Sequence, residues 1–343
     1  MDWTQLNSAF TLFLSLLVEA VPFLLLGVLF SGLLQFFVDE RKLVRLMPRN
    51  AFLGALAGSC MGCLFPVCEC GNVPVARRLI MQGVPSSVAI GFLLAAPTIN
   101  PIVFWATWTA FRDQPEMVFL RIGCSLIIAT TIGWVFSAQK DLRPFLQPAV
   151  ARAMPSKKGT RNGGQASQAT SDTPALLQSG TYFLGQSEQR VDPMDFQAAA
   201  IAAAGKPTGY KLNLMLEGMV QEFRELGGVL VFGSAIAAML QVFVPREAIL
   251  ALGQGPISSI LAMMLLAAVV SICSTVDSFF ALAFSSTFTT GSLLAFLVFG
   301  PMIDLKGIGL LLSIFKPRAV FYLIALAAQM TFLFAFVVNL YFS

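Results

Sequence analysis

The chain has 343 residues, of which 57% are hydrophobic and only 12% charged, against roughly 25% charged in a soluble domain. So few charges cannot cover a water-facing surface, which excludes a soluble all-core protein and makes the lipid bilayer its main partner. A net charge of +4 does not point to nucleic acid, and the absence of histidine removes the commonest general base and an imidazole metal ligand.

The first apolar run, 9–38, is interrupted only by Glu19, Pro22 and Gln35, and is long enough to span a bilayer of about 20 helical residues. A basic loop follows at 39–50, with Arg41, Lys42, Arg45 and Arg49. Next come an apolar stretch at 51–67, a cysteine-rich turn at 68–72 and a short stretch at 73–81 that contains Arg77 and Arg78. Residues 86–110 are apolar but broken at Pro97 and Pro101, and 117–136 reads as a cleaner span.

Residues 140–208 change character to Ser, Gln, Gly, Ala, Pro and scattered charge. Such a stretch cannot offset its ordering entropy by burial, so it reads as a flexible linker, and its basic residues place it in the cytoplasm. After it, Leu212, Met215, Leu216, Met219, Val220 and Phe223 share a helical face, which predicts an interfacial helix ahead of a span at 227–244. Two shorter apolar pieces, 257–273 and 279–288, flank polar 274–278. The run 293–315 is broken by Gly300, Pro301, Asp304 and Lys306, and 319–342 is the last span.

The two halves echo each other. At an offset of 206 residues, 6–38 lies on 212–244 without a gap, and nine of thirty-three pairs are identical, including Glu19/Glu225, Gly27/Gly233 and Gln35/Gln241. Further on, Cys68 meets Cys273 and Asn72 meets Asp277 at 205, while Pro97 meets Pro301 and Asn100 meets Asp304 at 204. If 51–83 forms a re-entrant pair, each half makes three crossings, the second half is inverted, and the basic loop and linker share the cytoplasmic side. The expected fold is therefore all-α and polytopic: two inverted repeats with broken helices, about six full spans plus half-helices, the alternative being eight spans. The repeats are 1–139 and 209–343, with 140–208 between them.

The densest chemical cluster is Cys60-Met-Gly-Cys63-Leu-Phe-Pro-Val-Cys68-Glu-Cys70-Gly-Asn-Val-Pro74. A break in helical backbone at membrane depth is tolerated only inside protein or beside water, so Gly71 and Pro74 mark a cavity with Cys68 and Cys70 at its tip. Thiolates favour soft metals and metalloids; the four cysteines are either a ligand set or small apolar packing residues. Asp277, Asp304 and Lys306 are ionisable groups inside apolar runs and hence candidate solute-binding residues, joined by Asn72. Thr98 and Asn100 lie between Pro97 and Pro101, where free helix ends can hold an ion or polar solute. Gly300 and Pro301 mark the matching break in the second half. GxxxxGK[ST] does not occur, because Gly205-Lys206 is followed by proline, so transport is secondary or needs a partner subunit. The sequence calls for no cofactor and no catalytic residue, and leaves homo-oligomerisation open.

The stretches 66–102, PVCECGNVPVARRLIMQGVPSSVAIGFLLAAPTINPI, and 300–307, GPMIDLKG, resemble the predicted-permease family that includes the organoarsenical efflux permease ArsP. The resemblance covers both membrane halves and omits the linker. It implies an inner-membrane permease, with the family motif falling on Cys68, Cys70, Gly71, Asn72, Pro74, Pro97, Asn100, Pro101, Pro301, Asp304 and Lys306. Glu69 departs from the small residue, often Ser, that the family places between the two cysteines. Characterised members export trivalent organoarsenicals, which bind thiols. Three functions follow: a permease for a thiol-reactive solute, a permease for another small solute, including an anion drawn by Arg77 and Lys306, or a membrane-embedded metal or redox protein.

Overall fold

In a computed structural model of the chain, the described residues are 3–37, 47–48, 50–64, 68–138, 143–153, 208–243, 255–271, 273–285 and 287–342. Most of the basic loop 39–50 and of the linker 140–208 lies outside them. Among the described residues the fold is helical, with one isolated bridge between Leu146 and Phe315.

Helices recur in the same order in the two halves. A long helix, α1 (Trp3–Phe37), is followed by α2 (Ala51–Met61), α3 (Glu69–Met81), α4 (Ser86–Ala95), α5 (Pro101–Ala110) and α6 (Glu116–Ser137). A short α7 (Pro148–Ala153) precedes the second series: α8 (Thr208–Phe243), α9 (Pro256–Val270), α10 (Val276–Leu282), α11 (Thr290–Met302), α12 (Leu305–Ile314) and α13 (Pro317–Phe342). Packing recurs as well: α2, α4 and α6 pack together as α9, α11 and α13 do, while α1 lies along α8 and α6 against α13.

Among the described residues four segments are long and apolar enough to cross a membrane: Leu6–Leu33, Glu116–Ser137, Thr290–Ile314 and Pro317–Tyr341. Their outward side chains are apolar, with Val18 74%, Phe321 68% and Leu340 68% exposed, a surface that only lipid solvates favourably. The protein is an integral membrane protein. The short helices α3, α4 and α11 sit inside, and every residue of α3 from Glu69 to Met81 is buried.

The interfacial helix expected before 227 is not separate. Thr208–Phe243 is one rod of 36 residues, about 54 Å long at 1.5 Å per residue. Part of its apolar stripe meets α1, with Met215 and Met219 against Gly32, while Leu216 and Val220 stay exposed. Part of the stretch read as a linker, 143–153, is among the described residues. Residues 143–153 are fastened to the second half: Gln147 N–H donates to the Ile314 carbonyl (2.8 Å) and Lys316 N–H to that of Phe145 (2.7 Å), while α7 packs on α3.

Candidate functional site

Local sequence builds two matched breaks. Asn100 ends the turn after α4, and its Oδ1 accepts from Val103 N–H (2.8 Å), capping α5, where Pro101 occupies the first turn. Asp304 does the same for α12 through Gly307 N–H (2.7 Å). Both candidate residues therefore have a structural task. Thr98 donates to the Ala95 carbonyl (2.9 Å) and Asn100 Nδ2 to that of Ala96 (3.3 Å), so their polar atoms are used within their own turn.

Four residues read as breaks lie inside helices. Gly71 and Pro74 belong to α3, and Gly300 and Pro301 to α11. The interruptions fall just ahead of α3 and at Ile303–Asp304. Proline is tolerated within α3 because its missing N–H costs one bond, to the Cys70 carbonyl, in a helix otherwise enclosed by protein. The two glycines serve close approach: a methyl at Gly300 would lie 3.3 Å from Asp277 Oδ2, and the Gly71 backbone touches α1 at Gly27, where any Cβ would overlap it. Pro97 lies in the turn between α4 and α5.

The cysteines divide. Cys60 and Cys63 are exposed, whereas Cys68 and Cys70 are buried, so the four do not form the single ligand set that the sequence allowed. Instead the Cys68 thiol, at the N-cap of α3, adjoins the thiols of Cys70 and of Cys273, which lies just before α10 in the other half. Thr275 Oγ1 donates to Cys273 Sγ (3.7 Å). Among the described residues no group of three or more His, Cys, Asp or Glu is arranged to hold a metal ion.

Beside these thiols lies an ion cluster. Lys306, on the first turn of α12, reaches both Glu69 Oε1 and Asp304 Oδ2 at 4.0 Å, with all three side chains buried. Thus Asp304 uses one oxygen as a cap and turns the other to Lys306. Asn72 donates to the Leu93 carbonyl (3.0 Å), but its Oδ1, like Glu69 Oε2 and Asp304 Oδ2, has no hydrogen-bond partner. Asp277 shares the electrostatic field of Lys306, Asp304, Arg121 and Glu19.

Sequence reasoning missed Arg121, the largest fully buried side chain among the described residues. It sits in α6 and fastens the break ahead of α10: Nη1 donates to Thr107 Oγ1 (2.7 Å) and Ser278 Oγ (2.8 Å), Nη2 to the Ser274 carbonyl (3.1 Å). The available signal was one charge inside the span at 117–136. Glu222 was also missed; it accepts from Ser31 Oγ (3.0 Å). Arg77 neither reaches toward headgroups nor waits for an anion: Nη1 donates to Glu225 Oε2 (2.9 Å) on α8.

The family described as Predicted permease (ArsP_1) matches residues 5–340, both halves and all of these side chains. The chain belongs to that family. Its relatives span it almost completely. UPF0718 protein YcgR of Bacillus subtilis (strain 168) is 40% identical over 323 residues, covering 94% of this chain and 93% of that protein. A Streptococcus mutans serotype c protein named "Putative two-component membrane permease complex subunit" is 30% identical over 328 residues, covering 96% and 94%. No solved structure matches the chain. The buried thiols and ion cluster thus lie inside an integral membrane protein of a predicted-permease family.

Proposed function

We propose that the chain is a secondary-type permease of the bacterial inner (plasma) membrane that exports a small thiol-reactive solute such as a trivalent organoarsenical. The observation that supports this best is the meeting of the two breaks, which gathers Cys68 and Cys70 from one half with Cys273 from the other. A trivalent arsenical R–As(OH)2 can exchange each As–OH for As–S with one thiol, releasing one water per bond; no electron changes hands. Thiolates are soft ligands suited to this partner, and reversible exchange among adjoining thiols would pass the solute from one half to the other.

In this reading the halves are inverted repeats that rock about the buried core. The first half crosses with α1, α4–α5 and α6, the second with α8, α11–α12 and α13, and 51–83 is re-entrant. That count keeps the basic loop and the linker together in the cytoplasm. The chain contains no phosphate-binding GxxxxGK[ST] loop, so an ion gradient or a partner subunit supplies the energy; the name of the streptococcal relative favours examining the second.

Two alternatives are weaker. An anionic solute needs an open cation, yet Arg77 is bound by Glu225 and Lys306 lies between two carboxylates. A resident metal needs a ligand set that the described cysteines do not form.

Cells expressing the protein are expected to retain less methylarsenite than control cells, and Cys68→Ser or Cys70→Ser to abolish the difference. Retention equal to that of control cells, or full efflux by both variants, would sink the reading. Uptake of a panel of solutes into proteoliposomes, with the purified chain alone and with its co-purifying partners, tests the energy source.

A further inference from the structure

The polar core holds more carboxyl groups than cations, an excess that the thiols do not account for. Among the described residues, two cations, Lys306 and Arg121, share it with four carboxylates, Glu19, Glu69, Asp277 and Asp304. Arg121 is fastened by its bonds to Thr107, Ser278 and the Ser274 carbonyl, so although its Nε lacks a partner, the guanidinium is committed to the α10 break. Lys306 lies 4.0 Å from each of Glu69 Oε1 and Asp304 Oδ2, within ion-pair range but beyond hydrogen-bond length.

The atoms left over beside Lys306 are carboxyl oxygens, and α3 adds an amide acceptor. Glu69 Oε2 and Asp304 Oδ2 have no hydrogen-bond partner, nor does Asn72 Oδ1, one turn along α3 from Glu69. Glu69 is 7%, Asp304 3% and Asn72 1% exposed. A buried acceptor without a donor is costly, and bulk water cannot relieve it here. A solute that brings donors would satisfy these acceptors.

We propose that Glu69, Asp304 and Asn72 set the charge class of the solute: neutral molecules carrying hydroxyl or amine donors are accepted and oxyanions are barred, with Glu69 as the residue that closes Lys306 to anions. The proposal deepens the reading above and rests on the thiols being the point of attachment. An anion brought beside Lys306 would meet two carboxylates already there, in surroundings where like charges repel strongly. Glu69 also stands between Cys68 and Cys70 in the chain, so its charge lies where a thiol-bound solute would dock. Without that charge, Lys306 would keep only Asp304, one of whose oxygens is already taken by Gly307 N–H. A trivalent arsonous acid is uncharged near neutral pH and carries two hydroxyl donors, which fits this wall of acceptors.

The test uses the full chain in proteoliposomes with two probes that share one arsenic centre: phenylarsonous acid, which is neutral, and 4-carboxyphenylarsonous acid, which is an anion. The native protein is expected to carry the neutral probe faster, by on the order of tenfold. Glu69→Gln should shrink that ratio toward one by speeding the carboxylate probe, Glu69→Asp should preserve it, and Cys68→Ser should stop both. A general packing defect would slow both probes and leave the ratio alone. Equal rates for the two probes in the native protein, or an unchanged ratio in Glu69→Gln, would overturn the charge assignment while leaving the thiol reading intact. Transport of neither probe by the native protein would overturn the thiol reading and this inference with it. If Glu69→Gln does not reconstitute, Asp304→Asn, which keeps the capping acceptor, must shrink the ratio; no change there refutes the proposal.

Discussion

The break between α4 and α5 and the break between α11 and α12 are built to the same local plan and hold different chemistry. Each ends a buried helix, and each is closed by an acidic or amide side chain capping the next helix, Asn100 in one case and Asp304 in the other. Two residues on, they part: Ile102 is 49% exposed toward lipid, and its counterpart Lys306 is buried beside Glu69 and Asp304. The reason lies in the neighbours. Helix α5 packs on α10 and α6, leaving its first turn outside, whereas α12 packs between α8 and α3. A repeated scaffold thus supplies the same free helix end twice, and the packing partner decides whether that end meets lipid or becomes a charged site.

The largest expected effect follows from that asymmetry. Lys306→Met leaves Glu69 and Asp304 buried without a cation and should cost about 3–5 kcal/mol; the yield of folded protein in detergent should collapse, and Glu69→Gln added to it should restore part of the loss. Ile102→Met, its counterpart, should leave yield unchanged. A collapse in both would erase the distinction between the breaks.

Arg121→Met removes the side chain's bonds to Thr107, Ser278 and Ser274, for about 2–4 kcal/mol. Thermal unfolding in detergent should start several degrees lower, with Arg121→Lys intermediate; an unaltered melting curve would show that the α10 break does not depend on this contact. Next in size is the pair of matched glycines. Gly27→Ala forces α1 off the Gly71 backbone and should cost roughly 1–3 kcal/mol. Gly233→Ala meets Lys306 Cα at 3.5 Å, an ordinary contact, and should cost less than about 0.5 kcal/mol; equal melting shifts would contradict the close approach at Gly27. The smallest effect sharpens the cap comparison. Asn100→Ala should lose about 1 kcal/mol and leave transport selectivity alone, while Asp304→Asn should keep the cap and alter selectivity, read from melting and two-probe transport together.

Much of this frame was legible in the sequence. Proline and a short polar side chain at 97–101 and 301–304 pointed to these two segments because they act locally, although Pro301 itself lies within α11, and the offset of 205 residues paired Cys68 with Cys273 before the structure brought the two thiols side by side. Arg121 was not legible as a site residue, since one charge among many apolar neighbours barely alters the reading of a span, and its partners Ser274 and Ser278 lie more than 150 residues away. The continuity of α8 was hidden for a related reason. An amphipathic stripe looks the same whether it lies on headgroups or on α1, and only the third dimension distinguishes them. Asn100 and Asp304 were read as ligands from their polarity, although capping requires the same residue types.

The fastening of 143–153 has a further consequence. With Leu146 paired to Phe315 and Gln147 bound to the Ile314 carbonyl, the first half is stitched to the second before the chain reaches 154. Fragments ending at 153 and beginning at 208, expressed from separate genes, are expected to co-purify through these contacts, and loss of co-purification on Gln147→Pro would trace the association to them.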